Sequence, residues 1–229
     1  IFRGCAIISV LAVVTITGYM IISGTPAIFK EGITGILFST TWAPTAANPQ
    51  YGIAYVILTS IVGVFLAICI GVPIGLFTAI NLAEIAPVKL RKILKSAIEL
   101  LAGIPSVVYG FFGMVVLVPA FRNIFGNGNC VFTASILLGI MILPTIIGLT
   151  ESALRAVPTQ YYEGAVALGG THERAIFTVV LPAAKSGVVA AIVLGIGRAI
   201  GETMAVIMVA GNQPRMPRGI FQGVRTLTA

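Results

Sequence analysis

Five long apolar runs, residues 4–23, 53–80, 97–119, 131–150 and 186–211, alternate with shorter polar segments along the 229-residue chain. Crossing a bilayer's hydrocarbon core takes about 20 apolar residues per helix, so the pattern predicts five spanning helices. The fold class is therefore all-α: a polytopic membrane helical bundle. Arg3 precedes the first run as in a signal peptide, but no small-residue cleavage site follows, and the run reads as a span. The organisation predicted is a first transmembrane helix at 1–23, a polar loop at 24–52 containing Trp42, Pro44 and Pro49, and a core at 53–229 that includes a long patterned loop at 151–183. The chain starts at Ile1 and stops in a polar segment after Arg225, so both ends are expected to continue.

Two polar connections carry helical patterning. Between the second and third runs, Leu90, Ile93, Leu94 and Ala97 fall on one face of a helix, with Lys89, Arg91, Lys92 and Lys95 around the rest. Such a basic amphipathic segment suits a membrane surface, and a mere connector is the other reading. Loop 151–183 reads as two short helices. Pro158 suits a helix start, and Tyr162, Ala165, Val166 and Gly169 share a face opposite Gln160 and Glu163. Gly169 and Gly170 break the first helix, Thr171 opens a second, and Pro182 ends or kinks it. A helical knob of this kind is either a docking surface for a soluble subunit or a hairpin joining two spans.

Composition then narrows the class. Hydrophobic residues are 58% of the chain and charged residues 9%, against about 45–50% and 25% in soluble domains, so membrane is the class that fits. All acidic residues are glutamates, His172 is the sole histidine, and Cys5, Cys69 and Cys130 are widely spaced, so neither hydrolytic nor metal chemistry is predicted and the cysteines are assigned to apolar packing. No G-x-x-x-x-G-K-[ST] sequence occurs. A membrane enzyme would need acid, base or metal ligands grouped at one depth, and no cofactor is implied.

Counting lysines and arginines by side puts eight (Arg3, Lys89, Arg91, Lys92, Lys95, Arg155, Arg174, Lys185) against five (Lys30, Arg122, Arg215, Arg218, Arg225). The positive-inside rule places the first group in the cytoplasm. The net charge of +7 is thereby split across a membrane, which disfavours nucleic acid. The last three outer arginines make either a solvated loop or an electropositive vestibule for anions.

Charges inside the spans are the candidate chemistry. Arg198 and Glu202 are four apart, one turn from each other on one helical face, and a charge at that depth costs about 2.5–3.5 kcal/mol to insert. They form either a salt-bridged pair locking helices or a translocation site, since a guanidinium matches phosphate oxygens in a bidentate way. Gly197 and Gly201 beside them allow close helix approach. Near the start of the third run, Glu99, Pro105, Ser106 and Tyr109 mark either a kinked packing helix or a pore-lining break whose amides meet an anion.

Glu163-Gly164-Ala165, followed by Gly169 and by Leu181-Pro182, resembles the EAA loop of ATP-binding-cassette (ABC) importer permeases, with glycine in place of the usual second alanine. IELLAGIPSVVYGFFG at 98–113 and GIGRAIGETMAVIMVAGN at 195–212 are similar to signature segments of the C-type permeases of phosphate-specific transport systems, and with Trp42-x-Pro44 and the closing VRTLTA the resemblance covers nearly the whole chain. It implies a MetI-like transmembrane fold with a sixth span beyond residue 229, in the inner or cytoplasmic membrane. It also implies a non-catalytic subunit forming the membrane path for inorganic phosphate. Arg198, Glu202, Ser106, Tyr109 and Glu99 would line the path. Gln160, Tyr162, Glu163, Gly164, Ala165 and Gly169 would couple to a separate ATPase dimer. The implied partners are an A-type permease subunit forming a heterodimer, that ATPase, an extracytoplasmic phosphate-binding protein and the bilayer. A permease for molybdate, tungstate or sulfate, and a membrane scaffold in phosphate signalling, are the alternatives.

Overall fold

The chain's apolar runs become helices in the computed structural model, which describes residues 2–44, 46, 50–214, 216 and 219–228. Pro49, Arg215 and Arg218 lie outside the described residues. Residues 1–55 and 56–229 make two compact units.

In the first unit, α1 (Phe2–Glu31) runs past the expected start of the polar loop and ends at Gly32, whose φ of +75° leaves the helical region. Ile8, Leu11, Val14, Tyr19 and Ile22 are exposed around its circumference, as in a helix built for lipid. The rest of the expected loop contains secondary structure too. It holds α2 (Ile33–Phe38) and a two-residue antiparallel pair, β1 (Trp42–Ala43) with β2 (Gln50–Tyr51). The Trp42 ring stands edge-on to Tyr51 at 6.0 Å.

The second unit holds α3 (Ala54–Ile80), prolonged by a π-turn at Asn81–Ile85, then α4 (Val88–Gly103), α5 (Ser106–Phe112) and α6 (Val118–Phe125), the last two joined by a π-turn at Gly113–Leu117. After α7 (Val131–Arg155) come α8 (Thr159–Ala167), α9 (His172–Ala175), a π-turn at Ile176–Val180 and α10 (Leu181–Ala183). The last elements are α11 (Lys185–Gly201) and α12 (Met204–Ala210). Among the described residues four helices are long and apolar enough to cross a membrane, Arg3–Pro26, Ala54–Ile85, Ser106–Phe125 and Val131–Arg155; the pair His172–Ala183 and Lys185–Gly201, bent by 71°, makes a fifth when counted as one span.

The most buried element is α7. Lipid tails are as apolar as leucine, so helices in a bilayer associate through close van der Waals contact. Glycine supplies that contact here: a Cβ on Gly71 or Gly75 of α3 would stand 2.8 Å from Ile142 Cδ1 or 2.9 Å from Ile146 Cγ2 of α7. From α11, Gly195 abuts the same Ile146. Two branched side chains of α7 are thus held between glycines of two neighbours.

Three boundaries differ from the sequence pattern. The third span starts at Ser106 rather than residue 97, because residues 97–103 continue the amphipathic α4 and Pro105 stops it. On α4 the inward face is Arg91, Leu94 and Ile98, with Leu94 and Ile98 packed on Ala79, Leu82 and Ile147, while Leu90, Ile93 and Ala97 point away. The fifth run breaks at Glu202–Thr203. The cysteines are corrected as well: Cys5 and Cys69 are exposed, and only Cys130 is buried.

The segment after α12 folds back along the bundle. Its carbonyls at Ile220 and Gln222 accept from the amides of Phe132 and Val131, two of the first-turn donors that α7 leaves without an intrahelical partner. Phe221 stacks on Phe125 at 4.5 Å, and Asn127 Nδ2 donates to the Phe221 carbonyl.

Candidate translocation site and coupling loop

The two interrupted spans meet. Gly110 of α5 lies against Ala205 and Met208 of α12, where a Cβ would stand 3.0 Å from Ala205 Cα, and Gly113 lies against Val209 and Leu137. The breaks have different causes. Pro105 lacks the amide that would bond the Leu101 carbonyl four residues back, and that carbonyl accepts instead from the Ile104 amide at 3.3 Å and the Tyr109 hydroxyl at 2.9 Å. Tyr109 is 6% exposed, so this bond is part of the packing. In the fifth run no proline intervenes. There Gly201, a poor helix former, is followed by Glu202, whose backbone is extended (φ −75°, ψ 124°) and whose Oε1 accepts from the Ala205 amide at 3.3 Å, capping α12. The Glu202 carbonyl accepts from Thr228 Oγ1 at 2.9 Å.

This geometry overturns the expected one-turn pairing of Arg198 with Glu202. Arg198 is the last-turn residue of α11, half-buried, and donates from Nη1 to Thr145 Oγ1 of α7 at 3.2 Å. Among the described residues no carboxylate lies within ion-pairing distance of it. The bond to Thr145 ties the cation of α11 to α7. Glu202 instead lines a small, mostly apolar cavity of about 50 Å³ with Ser60, Val64, Leu138, Val206 and Thr228. Ser106, half-buried, opens α5, and its hydroxyl makes no hydrogen bond in the described structure. Gly197 and Gly201 face open space rather than a neighbouring helix of this chain.

Glu99 is not part of that cluster. It is exposed on α4 and lines a cleft of about 270 Å³ with Lys95, Pro144, Gly148, Glu151 and Ser152. Glu151 was missed by the sequence reading: it is 4% exposed, bonded to Arg155 Nε at 2.9 Å and 3.5 Å from Lys95 Nζ. Its i,i+4 spacing to Arg155 at the end of the fourth run was the available signal. Arg155 also donates to the Leu82 carbonyl, and Arg91 to those of Ala83 and Ala86, so guanidiniums take the carbonyls at the end of α3. Thr145 was missed too, and nothing in the sequence distinguishes it from a hydroxyl bonded to its own helix.

Loop 151–183 is the predicted pair of short helices. Gly169 takes φ +84°, and a Cβ on Gly170 would stand 2.8 Å from the Ala165 carbonyl, so the turn requires both glycines. The Thr171 side chain caps the next helix by accepting from the Arg174 amide. Tyr162 O–H and His172 Nδ1, 2.8 Å apart, tie the two arms. Ile176 and Val180 bury against Ile80, Ala83 and Leu154, with Tyr162 alongside. Of the proposed coupling residues, Gln160, Glu163, Gly164 and Gly169 are exposed, while Tyr162 and Ala165 are half-buried on the anchored side. Val166, which by spacing shares the face of Tyr162 and Ala165, is 42% exposed, and Leu168 at the tip is 91% exposed.

An all-α membrane bundle with two interrupted spans that pack on each other, an arginine within one of them, and an anchored helical knob at one end, is the build of a transporter's membrane subunit. Residues 71–226 match the family model described as binding-protein-dependent transport system inner membrane component, and the chain belongs to that family of ABC importer permease subunits. It is 40% identical over 232 residues to a probable ABC transporter permease protein YqgH of Bacillus subtilis, covering 100% of this chain and 75% of that one. It is 38% identical over 206 residues to the phosphate transport system permease protein PstC of Pasteurella multocida, covering 81% and 64%. Among solved structures, an inward-facing MetNI methionine ABC transporter chain aligns with TM-score 0.52 and 25% identity over 66% of this chain and 68% of that one. The chain is a multi-pass membrane permease subunit with a MetI-like fold.

Proposed function

We propose that this subunit forms part of the membrane path for inorganic phosphate in an ATP-driven importer, with Arg198 as the anion-binding charge of the path. The observation that carries the reading is the half-buried Arg198, held by the neutral Thr145 and free of any carboxylate among the described residues. A charge inside a membrane is stable only with a partner or a polar path, and a guanidinium fork suits a tetrahedral oxyanion. The C-type phosphate permeases similar to this chain support phosphate as that oxyanion. Ser106, at the start of α5, and Tyr109 line the path beside Arg198, Glu202 shapes it from the break, and Glu99 stands at its mouth.

The exposed residues Gln160, Glu163, Gly164 and Gly169 meet a separate ATPase dimer that carries out hydrolysis, while Tyr162 and Ala165 hold that helix to the bundle. The Lys- and Arg-rich end faces the cytoplasm. An A-type permease completes the membrane unit, and a phosphate-binding protein delivers from the other side.

The test is ATP-dependent uptake of labelled phosphate into proteoliposomes holding the complete transporter. Arg198→Gln is expected to lower uptake at least tenfold while the complex assembles and binds ATP. Normal uptake by the variant would show that Arg198 is a packing charge. Uptake of molybdate or sulfate in place of phosphate would reassign the substrate.

A further inference from the structure

The four cations of α4 are not equivalent. Arg91 is spent on the Ala83 and Ala86 carbonyls, and Lys95 stands 3.5 Å from Glu151. Lys89 and Lys92 are exposed and have no hydrogen bond or ion pair among the described residues. Next to them runs a second apolar stripe that the packing of the bundle does not cover. Leu90, Ile93, Ala97 and Leu100 recur at three- and four-residue spacing, with Leu90 43%, Ile93 68% and Leu100 73% exposed. The other apolar side of the same helix, Leu94 and Ile98, is already packed on Ala79, Leu82 and Ile147. So α4 presents uncovered apolar side chains bordered by free lysines, the arrangement that seats a helix at a lipid headgroup boundary.

We propose that α4 is a binding surface for acidic phospholipid of the inner leaflet, with Lys89 and Lys92 holding the headgroup phosphates and Leu90, Ile93, Ala97 and Leu100 resting among the acyl chains. The inference rests on the orientation proposed above, which puts this end of the bundle in the cytoplasm. Charge complementarity selects the occupant. A neutral lipid would satisfy the stripe but not the lysines, and a second protein chain would need carboxylates opposite both of them. The bound lipid would act on transport through position, because α4 leads directly into the Pro105 break that opens α5.

The experiment is to purify the complete transporter from nanodiscs of mixed phosphatidylcholine and phosphatidylglycerol and count, by native mass spectrometry, the phosphatidylglycerol that stays bound. A basic residue near an anionic surface contributes enough to predict roughly five-fold weaker retention per lysine lost. Lys89→Gln/Lys92→Gln is therefore expected to lose the preference for phosphatidylglycerol, and Lys89→Arg/Lys92→Arg to keep it. Equal retention by the glutamine variant, or equal loss in the arginine variant, would overturn the proposal. So would a photo-crosslinker at Ile93 that captures a second membrane subunit rather than lipid. Lipid retention is read without transport, so its failure is distinguishable from failure of the phosphate assignment.

Discussion

A proline at position 105 removes the amide that a continuous helix would have pointed at the Leu101 carbonyl, and the Tyr109 hydroxyl occupies that place at 2.9 Å. Deleting the hydroxyl leaves the Leu101 carbonyl only its longer bond from the Ile104 amide at 3.3 Å, at a cost of about 1 kcal/mol. Tyr109→Phe is expected to lower the thermal unfolding midpoint of the purified complex, and to do so much less in a Pro105→Ala background, where the amide returns. An equal loss in both backgrounds would mean that Tyr109 matters for other reasons. Thr145 gives a second prediction at this scale. Thr145→Val removes the acceptor that fixes the Arg198 guanidinium and should raise the phosphate concentration needed for half-maximal uptake, while Thr145→Ser should behave as the parent chain. The charges themselves were legible in the sequence, since a lone arginine in an apolar run stands out. Their partners were not: the helical spacing of Arg198 and Glu202 holds only if the helix continues between them, and Glu202 ends it by capping α12.

Among elements, the close contacts of α3 and α11 with α7 depend on glycine. A side chain at Gly75 meets Ile146 at both Cγ2 and Cβ, so Gly75→Val should destabilise the bundle by about 1–3 kcal/mol, read as a lower unfolding midpoint in detergent. An unchanged midpoint would mean that α3 and α7 separate without cost. The exposed helix α8 predicts the opposite behaviour. Nothing lies within 4 Å of a Cβ built at Gly164, so Gly164→Ala should strengthen the helix by up to about 1 kcal/mol and leave phosphate-stimulated ATP hydrolysis intact. Loss of coupling in that variant would show that the partner fills the space beside position 164. The helices of loop 151–183 were readable because Gly169, Gly170, Thr171 and Pro182 punctuate them locally. Spacing groups Val166 with Tyr162 and Ala165 on α8 but does not say which of them is covered, because that depends on Ile80, Ala83 and Leu154 beneath the loop.

At the scale of the molecule, the apolar runs alone require a membrane and a helical fold, because a backbone in lipid must satisfy its own hydrogen bonds within helices. The basic residues, the glycine turn of loop 151–183 and the intramembrane arginine were likewise written in the chain. Tertiary structure decided the rest. It set where the third and fifth spans break, which cations of α4 are spent on carbonyls and on Glu151, and that the segment after α12 returns to cap α7 through Ile220 and Gln222. The division has a physical reason. Hydropathy and turn chemistry act over a few consecutive residues, so they can be read along the sequence. A hydrogen bond from Arg198 to Thr145, or from Thr228 to the Glu202 carbonyl, joins residues far apart in the chain and exists only once the helices have packed.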